Sequence, residues 1–186
     1  TRSIIDAIQE FSKKFELSKI NALNKKDKSS KGKIDKKIAA LVNVLNSCNC
    51  FYTTSSCSGR VALIEETGKK HEKAVLWSCH SKITKQQLLN AIKKAMKKCK
   101  KSATLMLKFE PCVVALIAKT LDDAASIVKL AKQIGWKRSG IAINKQGKIF
   151  VELMSTEVLA LPIPNENVSN ENIDAKMVDL LVKEIN

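Results

Sequence analysis

Residues 51–66 read FYTTSSCSGRVALIEE, and the run changes character at Gly59. Beyond it, Val61 to Glu66 has the short apolar run of a buried strand. Before it, Thr53 to Gly59 are all small, six of the seven carry a hydroxyl or thiol, and Arg60 adds a cation. Such a stretch builds no core of its own, and its five hydroxyls need partners wherever they are buried. Two readings stand. In one, the stretch is a ligand wall, with short side chains and backbone N–H groups close to a polar ligand and Arg60 ready for a carboxylate or phosphate. In the other, it is a polar strand and turn, with Gly59 making the turn and Arg60 solvated.

Working outward toward the C-terminus, Thr67-Gly68-Lys69-Lys70 is a turn and Ala74 to Cys79 its returning strand. Thr84 with Gln87 makes a capping box, after which Leu88, Ile92, Ala95, Met96 and Cys99 recur at helical spacing. Opposite that stripe lie Lys93, Lys94, Lys97, Lys98 and, past the helix, Lys100 and Lys101. Thr104 to Phe109 alternates as a half-buried strand, Pro111 interrupts, and Cys112 to Ala118 runs apolar. Thr120 caps a further helix through Ile134, with Asp122 and Asp123 at its positive end and Gly135 as its stop. Arg138–Asn144 and Lys148–Met154 form a second hairpin around Gly147, and Pro162 and Pro164 close the sheet region. An acidic last helix with Ile173, Met177, Leu181 and Ile185 on one side follows.

Toward the N-terminus, Ser3 and Asp6 cap a first helix with Ile4, Ile8, Phe11 and Phe15 on one side. The lysine-rich loop 27–35 leads to Asp35 at the entry of a second helix carrying Ile34, Ile38, Leu41 and Leu45. The order predicts an α+β fold: a mixed, largely antiparallel sheet in two hairpin and helix halves, packed with helices. It is expected as a single domain over 1–186, with a helical part over 1–48, an α+β core over 51–164 and a C-terminal helix over 165–186. Ser58-Gly59-Arg60-Val61 is echoed by Ser139-Gly140-Ile141 at the mouth of the second hairpin, which suggests an internal duplication.

At 186 residues and 45% hydrophobic content the chain can bury a proper core, and it has no run of apolar residues long enough to span a membrane. The first residues lack the apolar block of a signal peptide, so a cytoplasmic protein is expected. The formal net charge is +15, unevenly spread. Between Lys69 and Lys108 stand twelve lysines and one acid, whereas Glu152 to Asn186 holds seven acids and two lysines. A basic stretch laid against an apolar stripe points to nucleic acid; the plainer alternative is a lysine-rich solvated face.

Six cysteines show no framework spacing. Cys48, Cys50, Cys57 and the Cys79-His80 pair could meet at a zinc ion, or the thiols could simply fill space in a reducing compartment. Cys57 and Arg60 stand too close for a C-x5-R phosphatase loop, Gly68-Lys69-Lys70 is no P-loop, and no G-x-G-x-x-G follows a strand. His80, at a strand end, is either a proton acceptor or a hydrogen-bonded strand terminus. Trp77 reads as core, and Trp136 either stacks a base or packs against a helix end.

Several segments together resemble one known family. They are Asp27-x-Ser29-x-Lys31-Gly32-x-x-Asp35, Phe51-x-Thr53-Thr54-Ser55-Ser56-Cys57-Ser58-Gly59-Arg60, His80, Lys108-Phe109-Glu110-Pro111, Gly135-x-x-x-Ser139-Gly140-Ile141, Gly147-Lys148 and Ser155-Thr156. In order and spacing, over almost the whole chain, they are similar to the tRNA wybutosine-synthesizing protein 3 family. The resemblance implies a methyltransferase outside the common crossover fold, found in archaea and eukaryotes. It would use S-adenosylmethionine to methylate the N-4 nitrogen of a tricyclic guanine derivative beside the anticodon of phenylalanine tRNA. On that reading Ser55, Ser56, Cys57, Ser58, Gly59, Arg60, Ser139 and Gly140 are expected to bind the donor, the turn from Ser55 to Arg60 holding either its amino-acid end or the modified base, and His80 or Asp35 is expected to take the proton. Asp27, Ser29, Lys31, Lys93, Lys94, Lys97, Lys98 and Lys101 would bind the tRNA. The chain departs from the family pattern at Ala115, where histidine is common, at Met154, where arginine is common, and at Val75, where tryptophan is common.

Overall fold

The computed structural model describes residues 3–24, 34–69, 72–164 and 175–185. Among the described residues, five helices and eight strands follow in the order α1 (Ile4–Leu23), α2 (Lys36–Ser47), β1 (Phe51–Cys57), β2 (Arg60–Glu66), β3 (Lys73–Cys79), α3 (Lys85–Lys98), β4 (Thr104–Glu110), β5 (Val113–Ala118), α4 (Leu121–Gln133), β6 (Gly140–Ile143), β7 (Ile149–Met154), β8 (Leu159–Ile163) and α5 (Ala175–Ile185). The caps expected at Ser3, Thr84 and Thr120 are all formed, each as a capping box in which the cap side chain accepts the third helical N–H while that residue's own side chain accepts the cap N–H. Each stabilises its helix by about 1 kcal/mol.

The strands form two four-stranded sheets, ordered β1-β5-β7-β6 and β3-β2-β4-β8, and every ladder is antiparallel. The chain divides into two compact units: Thr1–Ser58 with Cys112–Thr156, and Gly59–Pro111 with Glu157–Asn186. This differs from the sequential single-domain division, because contacts group by sheet and each sheet draws its strands from both halves of the sequence. The chain passes between units at Ser58–Gly59, Pro111–Cys112 and Thr156–Glu157, so the motif-bearing stretches at 51–60, 108–111 and 155–156 are the crossing points.

In the first unit, α2 and α4 cover one face of the sheet. Val42, Leu45, Val114, Leu116, Ala124 and Val151 form the centre of that core. On the other face α1 lays Phe15 against Tyr52 and Ile117. The stripe expected on α1 is therefore mostly unused among the described residues: Phe15 is buried, while Ile4 and Phe11 are exposed. In the second unit, Leu88, Ile92 and Ala95 of α3, with Val178 and Leu181 of α5, pack on Val61, Leu63, Leu105 and Leu107. Strand β8 was not foreseen; Pro162 sits in it opposite Met106, tolerated because an edge strand leaves the missing N–H unneeded on its outer side.

The Ser-Gly echo does not mark equivalent places. Gly59, buried and at φ 89°, leads into the inner strand β2, whereas Gly140 is exposed and opens the edge strand β6. Direct duplication would put both at the same sheet position.

Candidate functional site

The polar stretch is a strand with a kink. Thr53 pairs with Leu116 and Ser55 with Ala115, so Thr54 is the extra residue of a β-bulge in β1. Strand side chains alternate, and one inserted residue reverses which face the later ones reach. Ser55 and Cys57 thereby share the face of Ala115 and Val113, and Ser56 turns to the side of the core residue Val114. Two side chains hold the bulge: Asn46 of α2 accepts the Thr53 N–H at 2.8 Å and donates to its hydroxyl at 2.9 Å, and the Thr54 hydroxyl donates to the Ala115 carbonyl at 3.2 Å. Asn46 serves the edge strand as a neighbouring strand would.

Across this sheet one register row reads Ser55, Ala115, Glu152, Gly140, and the next holds Cys57, Val113 and Met154. The first of these rows thus presents a carboxylate among residues with little or no side chain. Ser55, Glu152 and Gly140 are exposed. The two departures Ala115 and Met154 stand in these adjacent rows, on the same face.

At the unit's edge, Asp35 occupies the cap position of α2 but makes no side-chain cap bond. Its carboxylate accepts the Ser58 hydroxyl at 3.1 Å and the Ser58 N–H at 3.4 Å, tying the end of β1. Ser139 is buried and its hydroxyl accepts the Met154 N–H at 3.0 Å, so it braces β7. Ser155 does the same for the Cys112 N–H at 3.1 Å.

In the second unit Arg60 stands opposite Glu110 in the β2–β4 ladder and donates from Nε to its carboxylate at 2.5 Å. The expected solvated or ligand-facing cation is therefore aimed by a carboxylate from the Lys108-Phe109-Glu110-Pro111 motif, with the remaining guanidinium donors pointing elsewhere in its plane. On the same sheet face Glu66 accepts from Lys108 at 2.6 Å and pairs with Lys73 at 2.9 Å. The Lys108 bond first, then Lys73, holds its carboxyl below the usual glutamate range. His80 directly follows β3, half-buried. Lys93, Lys94, Lys97, Lys98 and Lys101 are all exposed, so the lysine face of α3 is solvent-facing as expected.

Of the expected site residues, Ser55, Cys57 and Gly140 fall on one face of the first sheet, with Asp35 and Ser58 joined at its margin. Ser56 faces the other side, Ser139 lies buried as a brace, and Gly59, Arg60, His80 and the α3 lysines belong to the second unit. Asp27, Ser29 and Lys31 lie outside the described residues. Sequence reasoning missed Asn46, Glu152 and the role of Glu110; only Glu110 had a signal, standing inside a motif already noted. Cys48, Cys50 and Cys112 pack on the first core and Cys79 and Cys99 on the second, as space-filling thiols do. Burial first, then Asp123 and Cys48, raises the thiol pKa of Cys50, consistent with an inert group. Trp136 packs against the first core and Trp77 against the second.

These features define an α+β protein of two antiparallel sheets, with a small-residue polar face on the first and, over the second, a helix that carries a lysine face. The family model described as Methyltransferase TYW3 matches residues 12–186, and the chain belongs to that family. A Thermococcus sibiricus relative named tRNA(Phe) 7-((3-amino-3-carboxypropyl)-4-demethylwyosine(37)-N(4))-methyltransferase is 31% identical, covering 91% of this chain and 86% of the relative. The human tRNA wybutosine-synthesizing protein 3 homolog is 33% identical over 88% of this chain and 64% of its own length. The zebrafish (Danio rerio) homolog is 31% identical over 90% of this chain and 66% of its own. The chain thus spans a little under two thirds of these vertebrate relatives. The solved structure of PH1069 protein from Pyrococcus horikoshii superposes with a TM-score of 0.73 at 30% identity, covering 94% of this chain and 92% of that one.

Proposed function

We propose that this chain is an S-adenosylmethionine-dependent methyltransferase acting on the N-4 nitrogen of the tricyclic wybutosine precursor beside the anticodon of phenylalanine tRNA. The observation that carries the reading is the family match over residues 12–186, joined to near full-length similarity with the Thermococcus methyltransferase. Such work belongs in the cytoplasm, where tRNA is modified.

The residues present suit a donor with an amino-acid end and a nucleoside. Arg60, aimed by Glu110, offers guanidinium N–H groups to a carboxylate. Ser55, Cys57 and Gly140 keep a sheet face low enough for close approach, since a Cβ built on Gly140 meets nothing within 4 Å. Ser139 braces Met154 from behind that surface, and Asp35 holds Ser58 at its margin. S-adenosylmethionine supplies an electrophilic methyl group bonded to sulfur. With the donor bound, its methyl group would pass to the nitrogen, the carbon–sulfur pair would stay on sulfur, and His80 or Asp35 would take the proton that the nitrogen gives up. Positioning of the reactants provides much of the acceleration in such a step. Lys93, Lys94, Lys97, Lys98 and Lys101 carry anticodon-stem phosphates, and Asp27, Ser29 and Lys31 contact the modified nucleotide.

The positions Ala115 and Met154, side by side in the rows around Glu152, favour a second reading: a binding module for modified tRNA, or an enzyme for a related intermediate. Labelled methyl donor and tRNA bearing the unmethylated precursor separate the two. Incorporation of label at N-4 is expected; tight tRNA binding with no incorporation would leave the binding module. Arg60→Ala should weaken donor binding by roughly tenfold to a hundredfold, as loss of a charged hydrogen bond does.

A further inference from the structure

We infer that Glu152 is a specificity residue that receives the ammonium of an α-amino-carboxylate group, an inference that rests on the methyltransferase reading above. In a chain of net charge +15, its carboxylate is exposed on a sheet face, and no hydrogen bond or ion pair engages it among the described residues. Its cross-strand neighbours are Ala115 and Gly140, and the row continues to Ser55. Ala115, Gly140 and Ser55 stand no taller than Cβ or Oγ, so space is open beside the carboxylate along this row, where Gly140 has nothing within 4 Å of its Cβ position, while Phe150 and Met154 flank it along its own strand. Gly140 carries no positive φ, so the backbone does not require glycine there.

An exposed carboxylate beside a row of small residues attracts a primary ammonium by a charge-assisted hydrogen bond. Two ligands of the proposed reaction can bring one. The methyl donor ends in an amino-acid group, and the substrate of the Thermococcus relative is named for its 3-amino-3-carboxypropyl arm. The chemistry shared by both is an ammonium beside a carboxylate.

The test uses the full chain with Glu152→Gln, and with Gly140→Val, which adds bulk at a position whose Cβ would meet nothing within 4 Å. Circular dichroism should show both folded. Calorimetric affinity for S-adenosylmethionine is measured for each, together with affinity for precursor tRNA with and without the amino-carboxypropyl arm. A loss of roughly tenfold or more in donor affinity for both variants assigns the ammonium to the donor. An equal loss confined to tRNA carrying the arm, with donor affinity kept, assigns it to the substrate. Unchanged affinities in both variants, while the wild type binds and methylates, overturn the role of Glu152 alone. A wild type that neither binds donor nor methylates overturns the methyltransferase reading and this inference with it.

Discussion

Set side by side, the two sheets are the same layout run in opposite directions. Forward along the first unit the chain passes α2, β1, β5, α4, β6 and β7; backward along the second it passes α5, β8, β4, α3, β3 and β2, through matching sheet positions. Gene duplication preserves chain direction, so the likeness follows from packing: two inner strands, a hairpin to one edge and a crossing helix over the core. The helices α3 and α4 bring out the difference. Both open on a threonine capping box and bury one apolar stripe, yet α3 has five lysines and no acid, while α4 has two lysines and two aspartates. Cap and stripe make the helix; the polar face is left for electrostatics, and only the second unit uses it for a cationic surface.

The comparison can be broken first at the cores. Leu116→Ala and Leu63→Ala each empty a fully buried inner-strand site and should cost about 2–5 kcal/mol. Hydrogen exchange should quicken in β1, β5 and β7 for the first and in β2, β3 and β4 for the second. Uniform acceleration in both sheets for either variant would deny that the units are separate cooperative blocks.

Replacing Lys93, Lys94, Lys97 and Lys98 with glutamine tests the lysine face next. If each meets one phosphate, the slope of log affinity for tRNA against log salt should flatten by roughly three to four units. An unchanged slope would make the face plain solvated surface, no different in kind from that of α4.

Asn46→Ala removes the partner of Thr53 at the bulge and should destabilise the first unit by about 1–3 kcal/mol. It should also loosen Ser55 and Cys57 and so weaken donor binding. Full donor affinity after a measured loss of stability would separate the bulge from the site.

The smallest effect is expected at Glu66, whose folded carboxyl lies below its usual range. A depressed carboxyl stabilises the fold above its unfolded pKa, and that contribution is lost as pH falls through the folded value. Glu66→Gln should therefore lower stability near neutrality by about 1 kcal/mol or less. The gap from wild type, followed by urea unfolding, should close in acid below the ordinary glutamate range. A gap that persists there would assign the effect to packing.

Most of the local structure was legible beforehand because it rests on local signals. Ser3 with Asp6, Thr84 with Gln87 and Thr120 with Asp123 announce helices through bonds three residues apart, and Gly68 and Gly147 mark turns whose positive φ suits glycine. Strand β8 escaped because Pro162 is an unfavourable strand residue that only its edge position excuses. The candidate site was legible as a list of residues and not as a surface.

By itself the sequence determined the helices, the two hairpins, the basic stretch and, through its spaced motifs, the family. Tertiary structure alone decided the rest: two sheets instead of one, the bulge that turns Ser55 and Cys57 toward Ala115 and Val113, the Arg60–Glu110 pair and the row around Glu152. Those features depend on pairing between residues as far apart as Phe51 and Ala118, and register is a property of two strands together that neither strand's pattern contains.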